Sequence, residues 1–252
     1  PRLCVCRNSS PGVCANSRGV TRHLRSDVAK MSPVALPEFT LERELLREYS
    51  LVIACDEVGR GALAGPVCVG ATVVDASTGA FPDGLRDSKL VSEPKRPDLA
   101  ERAAAWVRYS AVGWASAAEV DSEGIIRALG LAAVRAIADL ASQGVDVGAA
   151  IVILDGSHDY ISREWTGPIT VRPVVKADRD CASAAAASVI AKVARDTLMV
   201  NLHEESPVYA WERNKGYGSA VHRDAIREHG ASAHHRHTWL ATEAYQPTPL
   251  FV

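Results

Sequence analysis

Three short apolar runs, each followed by an acid, constrain the fold of this chain most. Residues 51–55 run directly into Asp56 and Glu57, residues 151–154 run into Asp155, and residues 169–175 are followed shortly by Asp178. Continuous apolar runs of this length, bounded by turn-forming residues, suit buried strands. The longer segments between them carry a helical period. The expected order is a helix over 39–49, with Leu41, Leu45 and Leu46 on one face, then strands over 51–55 and 66–74. A helix over 93–107 follows, its start delayed by Pro97, and then a strand over 109–115. The helix over 124–143 turns Ile126, Leu129, Ala133, Ile137 and Leu140 inward. Strands over 149–154 and 169–175 and helices over 182–203 and 220–229 complete the chain. This order indicates an α/β fold: a mixed central β-sheet flanked by helices, with a C-terminal helical segment.

The 252 residues are enough to bury a sizeable core without metal or disulfides. With 47% hydrophobic and 23% charged residues, the chain is neither disordered nor fibrous. No apolar run reaches the roughly 18 residues of a membrane helix. The net charge of -2 excludes a histone-like polycation but not an enzyme acting on nucleic acid. Residues 1–30 hold six basic side chains and one acid, leaving 22 basic and 29 acidic residues beyond them, a net of -7. That leader is rich in Arg and Ser, resembles a transit peptide in composition, and lacks the apolar stretch of a secretory signal. We read it as a translated upstream region or natural tail, with Met31 the true start. Cys55, Cys68 and Cys181 lie in apolar surroundings and are expected to be reduced and buried, as in a cytoplasmic protein.

Sites in α/β sheets assemble at strand ends, so four acids at three strand ends have a chemical use. Clustered carboxylates repel one another and stay ionised together most readily around divalent cations. Oxygen ligands of this type suit Mg²⁺ or Mn²⁺, and two such ions about 3.5–4 Å apart promote phosphodiester hydrolysis. Taken singly, each acid reads more readily as a helix cap or a solvated turn residue, and spacing alone does not make them converge.

The surrounding blocks add specificity. Asp56-Glu57-Val58-Gly59-Arg60-Gly61, followed by Gly65-Pro66, resembles the signature of the ribonuclease HII family. Collinear matches follow at Asp87-Ser88-Lys89, Asp155-Gly156, Lys176-Ala177-Asp178, the block from Ser188 to Asp196, Asn214-Lys215-Gly216-Tyr217-Gly218, and His235-Arg236. Ser219 stands where the family usually has Thr and keeps the hydroxyl. The segment 157–168 is longer than the family pattern suggests. Arg60, where ribonuclease HIII typically has Lys, and the 38 residues before the first helix favour HII over HIII.

The resemblance implies an RNase H-like fold and cleavage 5′ of ribonucleotides embedded in duplex DNA, or within the RNA strand of RNA–DNA hybrids. The products would carry 3′-hydroxyl and 5′-phosphate ends, and the role would be removal of misincorporated ribonucleotides. Asp56, Glu57, Asp155 and Asp178 would be the catalytic ligands of two divalent ions, Mg²⁺ or Mn²⁺. Gly59, Arg60 and Gly61 would contact the ribose 2′-hydroxyl, the group that distinguishes RNA from DNA; without the preceding acids they read as a tight turn. Tyr217 would pack on the sugar, the alternative being a half-buried loop tyrosine. Ser188, Lys192 and Arg195 share one helix face at i, i+4, i+7 and, with Lys89 and Lys215, would hold phosphates; the alternative is a solvated face. The organisation would be a leader (1–38), a catalytic domain (39–205), a C-terminal helical substrate-binding segment (206–245) and a flexible tail (246–252). A monomer is expected.

His234, His235 and His237 lack partners at zinc-site spacing and are expected on the surface or touching phosphate. Gln246 to Phe251 faintly resembles a sliding-clamp-binding peptide, against the plainer reading of a frayed tail. Two other functions compete with the junction ribonuclease: a catalytically silent nucleic-acid-binding module and an RNase H-like nuclease acting on plain DNA.

Overall fold

The computed structural model describes residues 36–240, so residues 1–35 of the expected leader and the expected tail over 246–252 lie outside the described residues. Glu38, expected to belong to the leader, instead pairs with Cys181 and bonds the backbone of Asp180 and Ala182. In chain order the elements are α1 (Thr40–Leu45), β1 (Leu51–Val58), β2 (Val67–Val74), α2 (Arg96–Trp106), β3 (Tyr109–Ala115), α3 (Ala117–Glu123) and α4 (Ile125–Ser142). They continue with β4 (Ala150–Asp155), β5 (Thr170–Val174), α5 (Ala177–Asp180), α6 (Ala182–Glu205), α7 (Trp211–Asn214), α8 (Ala220–His229) and α9 (His237–Leu240).

The five strands form one mixed sheet in the order β3-β2-β1-β4-β5. β1 pairs antiparallel with β2, and β2 with β3. β1 pairs parallel with β4, and β4 with β5, with Cys55 level with Leu154 and Asp155 level with Val174. Parallel pairing brings the C-terminal ends of β1, β4 and β5 to one edge, which is where the acids are. Pro173, which cannot donate to a ladder, lies on β5 at the sheet's margin.

Strand periodicity divides the core in two. Ile53, Cys55, Val69 and Leu154 pack with α4 on one face, and Val52, Ala54, Ile153 and Val74 pack with α2 and α6 on the other. A third cluster, formed by Ala64, Met199, Tyr209, Trp211, Ala225, Ile226 and Leu240, seats the C-terminal helices on the end of α6. Among the described residues, the thiols of Cys55, Cys68 and Cys181 are buried and free, and burial pushes each pKa up to about 12.

Several local expectations need correction. The first helix closes at Leu45 and continues only as turns to Tyr49. It is anchored by Glu42, a buried acid whose Oε1 accepts from the Ser183 backbone N–H at 2.8 Å and its hydroxyl at 2.6 Å, at the start of α6. The helix expected from residue 93 begins at Arg96 after a short 3₁₀ turn, with Pro97 in its first turn, where proline's missing N–H costs nothing. Ile126 is 40% exposed, and its neighbour Ile125 packs against the core instead. Helix α3, absent from the expected order, has a local signal in the sequence: Ser116 and Glu119 make a reciprocal capping box.

Candidate active site

β1 extends three residues beyond the expected strand, so Asp56 and Glu57 are strand residues and point to opposite faces. Asp56 turns toward α6, where the Ser188 hydroxyl lies between it and Ser88 Oγ, 3.0 Å from the latter. Glu57 turns the other way. Its Oε2 accepts from the Tyr160 hydroxyl at 3.4 Å and its Oε1 from Arg60 at 3.3 Å. Asp155 ends β4 alongside. Each of Asp56, Glu57 and Asp155 offers a carboxylate oxygen, and these oxygens lie within 4.8 Å of one another. Asp178 sits in the first turn of α5, and its backbone N–H donates to Asp155 Oδ1 at 3.3 Å. Its own carboxylate faces Lys89, whose Nζ lies 3.1 Å from Oδ2. The structure therefore brings three of the four expected ligands into one cluster and holds the fourth beside it in an ion pair.

The electrostatics fit a divalent cation. Burial, and then the neighbouring Asp155 charge, raises the Asp56 pKa well above the usual carboxylate range. Burial and the Asp178 charge push Asp155 up to about 6. Asp56 and Asp155 hold their protons too tightly for want of positive charge, and with Glu57 beside them they make an oxygen donor set that suits Mg²⁺ or Mn²⁺.

The cluster floors a cavity of about 230 Å³ that is also lined by Gly59, Arg60, Gly61, Ser88, Lys89, Ser188, Lys192 and Tyr217. Most of the expected substrate-binding residues thus share one cavity. Lys192 lies 2.6 Å from Asp196, and burial, partly offset by that acid, lowers its pKa. Tyr217 is exposed at the cavity rim, with the Lys192 ammonium 5.9 Å and the Arg195 guanidinium 5.4 Å from its ring centre.

Two phosphate contacts need correction. Arg195 is fully buried, and its guanidinium donates to the carbonyls of Pro66 (2.9 Å), Lys215 (2.9 Å) and Ala64 (3.1 Å). It supports the site from beneath and cannot meet a phosphate. Lys215 is also buried, and its ammonium lies 3.0 Å from Glu93 and bonds the Glu212 carbonyl. Helical spacing places a residue on a face but does not show what covers that face. Here, the loop 64–66 and the chain around Lys215 cover Arg195.

Sequence reasoning missed Tyr160 and His222, and it placed Arg236 in a family block without giving it a role. Tyr160 belongs to the long segment 157–168, which has no periodicity to place it. His235 and Arg236 are fully buried, against the expectation that the late histidines are surface groups. His222 Nδ1 donates to the Tyr217 carbonyl at 2.9 Å, and its Nε2 accepts from Trp211 Nε1 at 3.1 Å. The His235 Nδ1 accepts from the Ser232 backbone N–H at 2.9 Å, so its Nε2 carries the proton facing His222 Nε2 at 3.1 Å. Both rings are neutral in this arrangement. Burial, reinforced by His222, lowers the His235 pKa to about 4, and burial lowers that of His222.

A depressed histidine pKa gives stability that is present above the unfolded value, near 6.5, and lost as pH falls toward the folded value. Acidifying metal-free protein from pH 7 to 4.5 should cost up to about 3 kcal/mol through His235. Urea unfolding should show the drop in wild type and a smaller one in His235→Asn; equal drops in both would contradict the assignment.

The chain matches the family described as Ribonuclease HII over residues 53–242. It is 43% identical to a ribonuclease HII of Streptomyces avermitilis, over 84% of this chain and 87% of that one. Among solved structures, it resembles one titled as the PCNA:RNase HII complex from Archaeoglobus fulgidus, with a TM-score of 0.59 and 24% identity, covering 79% of this chain and 98% of that one. It also resembles Bst-RNase HIII in complex with Mn2+, with a TM-score of 0.57 and 22% identity, over 73% and 64% of the two chains. With the acidic cluster, the Gly-Arg-Gly loop and the mixed sheet in place, the match over three quarters of its length makes this chain a member of the ribonuclease HII family.

Proposed function

We propose that this ribonuclease H cuts the strand 5′ of a ribonucleotide, in RNA–DNA hybrids and at single ribonucleotides in duplex DNA, leaving 3′-hydroxyl and 5′-phosphate ends. One observation carries the reading: the carboxylate cluster, the Gly59–Gly61 loop and Tyr217 line the same cavity. Asp56, Glu57, Asp155 and Asp178 would hold two divalent ions, Mg²⁺ or Mn²⁺. When bound, such ions supply an activated water and charge stabilisation for the leaving oxygen.

The chain's own residues do the rest. Arg60 and Tyr160 fix the two oxygens of Glu57. The Gly59–Gly61 backbone receives the ribose 2′-hydroxyl, and Tyr217 packs on the sugar at the rim. Ser188 orients Asp56, and Lys89 and Lys192 meet phosphates. Residues 206–245 form the substrate-binding segment that presents Tyr217 beside the catalytic domain over 39–205. Removal of misincorporated ribonucleotides follows from cutting at single ribonucleotides. A sliding-clamp contact through residues 246–251 belongs to the same reading, supported by the Archaeoglobus relative solved with PCNA.

The RNA strand of a hybrid should be degraded with Mg²⁺ or Mn²⁺ and remain whole with EDTA or when replaced by DNA. With Arg195 and Lys215 committed internally and Arg60 on Glu57, Lys89 and Lys192 remain for phosphates. The plot of log affinity against log salt should then have a slope of about -2. Cleavage in EDTA, or a slope near zero, would contradict the reading.

A further inference from the structure

Arg236 is one of the largest fully buried side chains, and its guanidinium is spent on backbone carbonyls. It donates to Arg60 O at 2.8 Å, to Gly59 O at 2.7 Å, and to Gly65 O from both Nη2 at 3.2 Å and Nε at 3.3 Å. Its backbone is stitched to the same loop: Arg236 N–H donates to Leu63 O at 2.9 Å, and Gly65 N–H donates to His234 O at 2.8 Å. The side chain thus spans the loop from Gly59 to Gly65.

Burying a guanidinium is costly unless its donors are satisfied, so its position beneath this loop calls for a consequence. Peptide geometry supplies one. In a planar trans peptide, the C=O and the following N–H point in opposite directions. Holding Gly59 O and Arg60 O inward, against Arg236, turns the N–H groups of Arg60 and Gly61 away from it. Gly59, Arg60 and Gly61 line the cavity.

We propose that Arg236 is a positioning residue for ribose selection: it clamps the Gly59 and Arg60 carbonyls so that the Arg60 and Gly61 amides are preset as donors to a ribose oxygen in the cavity. The proposal rests on the ribose-selection reading above. Arg195, bonded to Ala64, Pro66 and Lys215, ties the far side of the same loop to the segment carrying Tyr217. The two arginines together set the distance between the amides and the tyrosine.

Arg236→Lys keeps the charge but has one point of donation and cannot span three carbonyls. On a duplex with one ribonucleotide, kcat/KM should fall roughly 10- to 100-fold, as expected for a displaced binding group. In EDTA, fluorescence anisotropy should show that the preference for the ribonucleotide-bearing duplex over an all-DNA duplex falls by about fivefold, the value of a lost positioned donor. Affinity for the all-DNA duplex should be unchanged. If Arg236→Lys lowers Tm but keeps the wild-type preference, Arg236 is only structural and the proposal is overturned. If wild type itself shows no preference in binding or cleavage, the ribose-selection reading fails, and the clamp with it.

Hydrogen–deuterium exchange on wild type provides a readout that does not depend on the variant folding. A preset loop predicts that the amides of residues 62–65, bonded within the protein, are already protected in the free protein, whereas those of Arg60 and Gly61 gain protection only when the ribonucleotide-bearing duplex is added in EDTA. Protection of residues 62–65 that appears only with duplex would overturn the proposal.

Discussion

Asp56→Asn is expected to lower cleavage by roughly 10³-fold or more, the several kcal/mol that metal-held charge supplies to a phosphodiester transition state. Duplex binding should stay close to wild type, because the proposed phosphate and ribose contacts lie on other residues. The same substitution should stabilise the metal-free protein. Asp56 is buried beside Asp155 and Glu57, and its pKa is raised by burial and by those charges. Asparagine keeps the shape and the Ser188 contact while removing the repulsion. A gain on the order of 1 kcal/mol would raise Tm by about 2–4 °C in a chain of this length. Adding Mg²⁺ should then stabilise wild type more than the variant. Calorimetry in EDTA and in Mg²⁺, beside a cleavage assay, checks both halves. A variant that turns over near the wild-type rate would remove Asp56 from the ligand set.

Gly59→Ala is expected to be the most damaging single-methyl change in the site. A Cβ at residue 59 would lie 2.1 Å from Arg195 Nε and 2.7 Å from its Cδ and Cζ. The backbone there has φ +86°, a conformation that costs an L side chain roughly 1–2 kcal/mol. Arg195 is fully buried and cannot move without releasing carbonyls of Ala64, Pro66 and Lys215. Disrupting a buried charge in this way costs about 3–5 kcal/mol. The sum, about 4–7 kcal/mol, corresponds to a Tm loss of roughly 10–25 °C. Because the loop and Tyr217 are displaced together, kcat/KM should fall by about 100-fold. Gly61 provides the contrast. A Cβ there meets nothing within 4 Å, so Gly61→Ala should leave Tm unchanged, and any loss of activity would report crowding of the substrate. A Gly59→Ala protein with wild-type Tm and activity would show that the loop is not held against Arg195.

The acids could be found in the sequence because each ends or follows an apolar run, and the runs themselves marked the strands. Their convergence was not visible. It depends on the parallel pairing of β1 with β4 and β4 with β5, a long-range choice that no local pattern encodes. The family blocks located the loop and Tyr217, and the cavity brings them together with the acids. Arg195 was assigned to phosphate because helical periodicity gives a face without its covering, and that face is roofed by residues more than 120 positions away in the chain. The same limit hid the burial of Arg236 and His235, which sit in a short segment without periodicity and are covered by distant residues: Arg236 by the loop 59–65, and His235 by Ala64, Tyr209, Trp211 and His222. Tyr160 was hidden because the segment 157–168 carries no repeat, although its hydroxyl reaches Glu57 across 103 positions. Local chemistry was legible; contacts made by distant segments were not.

The most direct test of the account is to map the cut in a duplex of DNA containing a single ribonucleotide, with Mg²⁺ or Mn²⁺, beside an all-DNA duplex of the same sequence. The account predicts one cut, 5′ of the ribonucleotide, with 3′-hydroxyl and 5′-phosphate ends, and an intact all-DNA control. Equal cutting of the control, or a 2′,3′-cyclic phosphate end formed without metal, would contradict it.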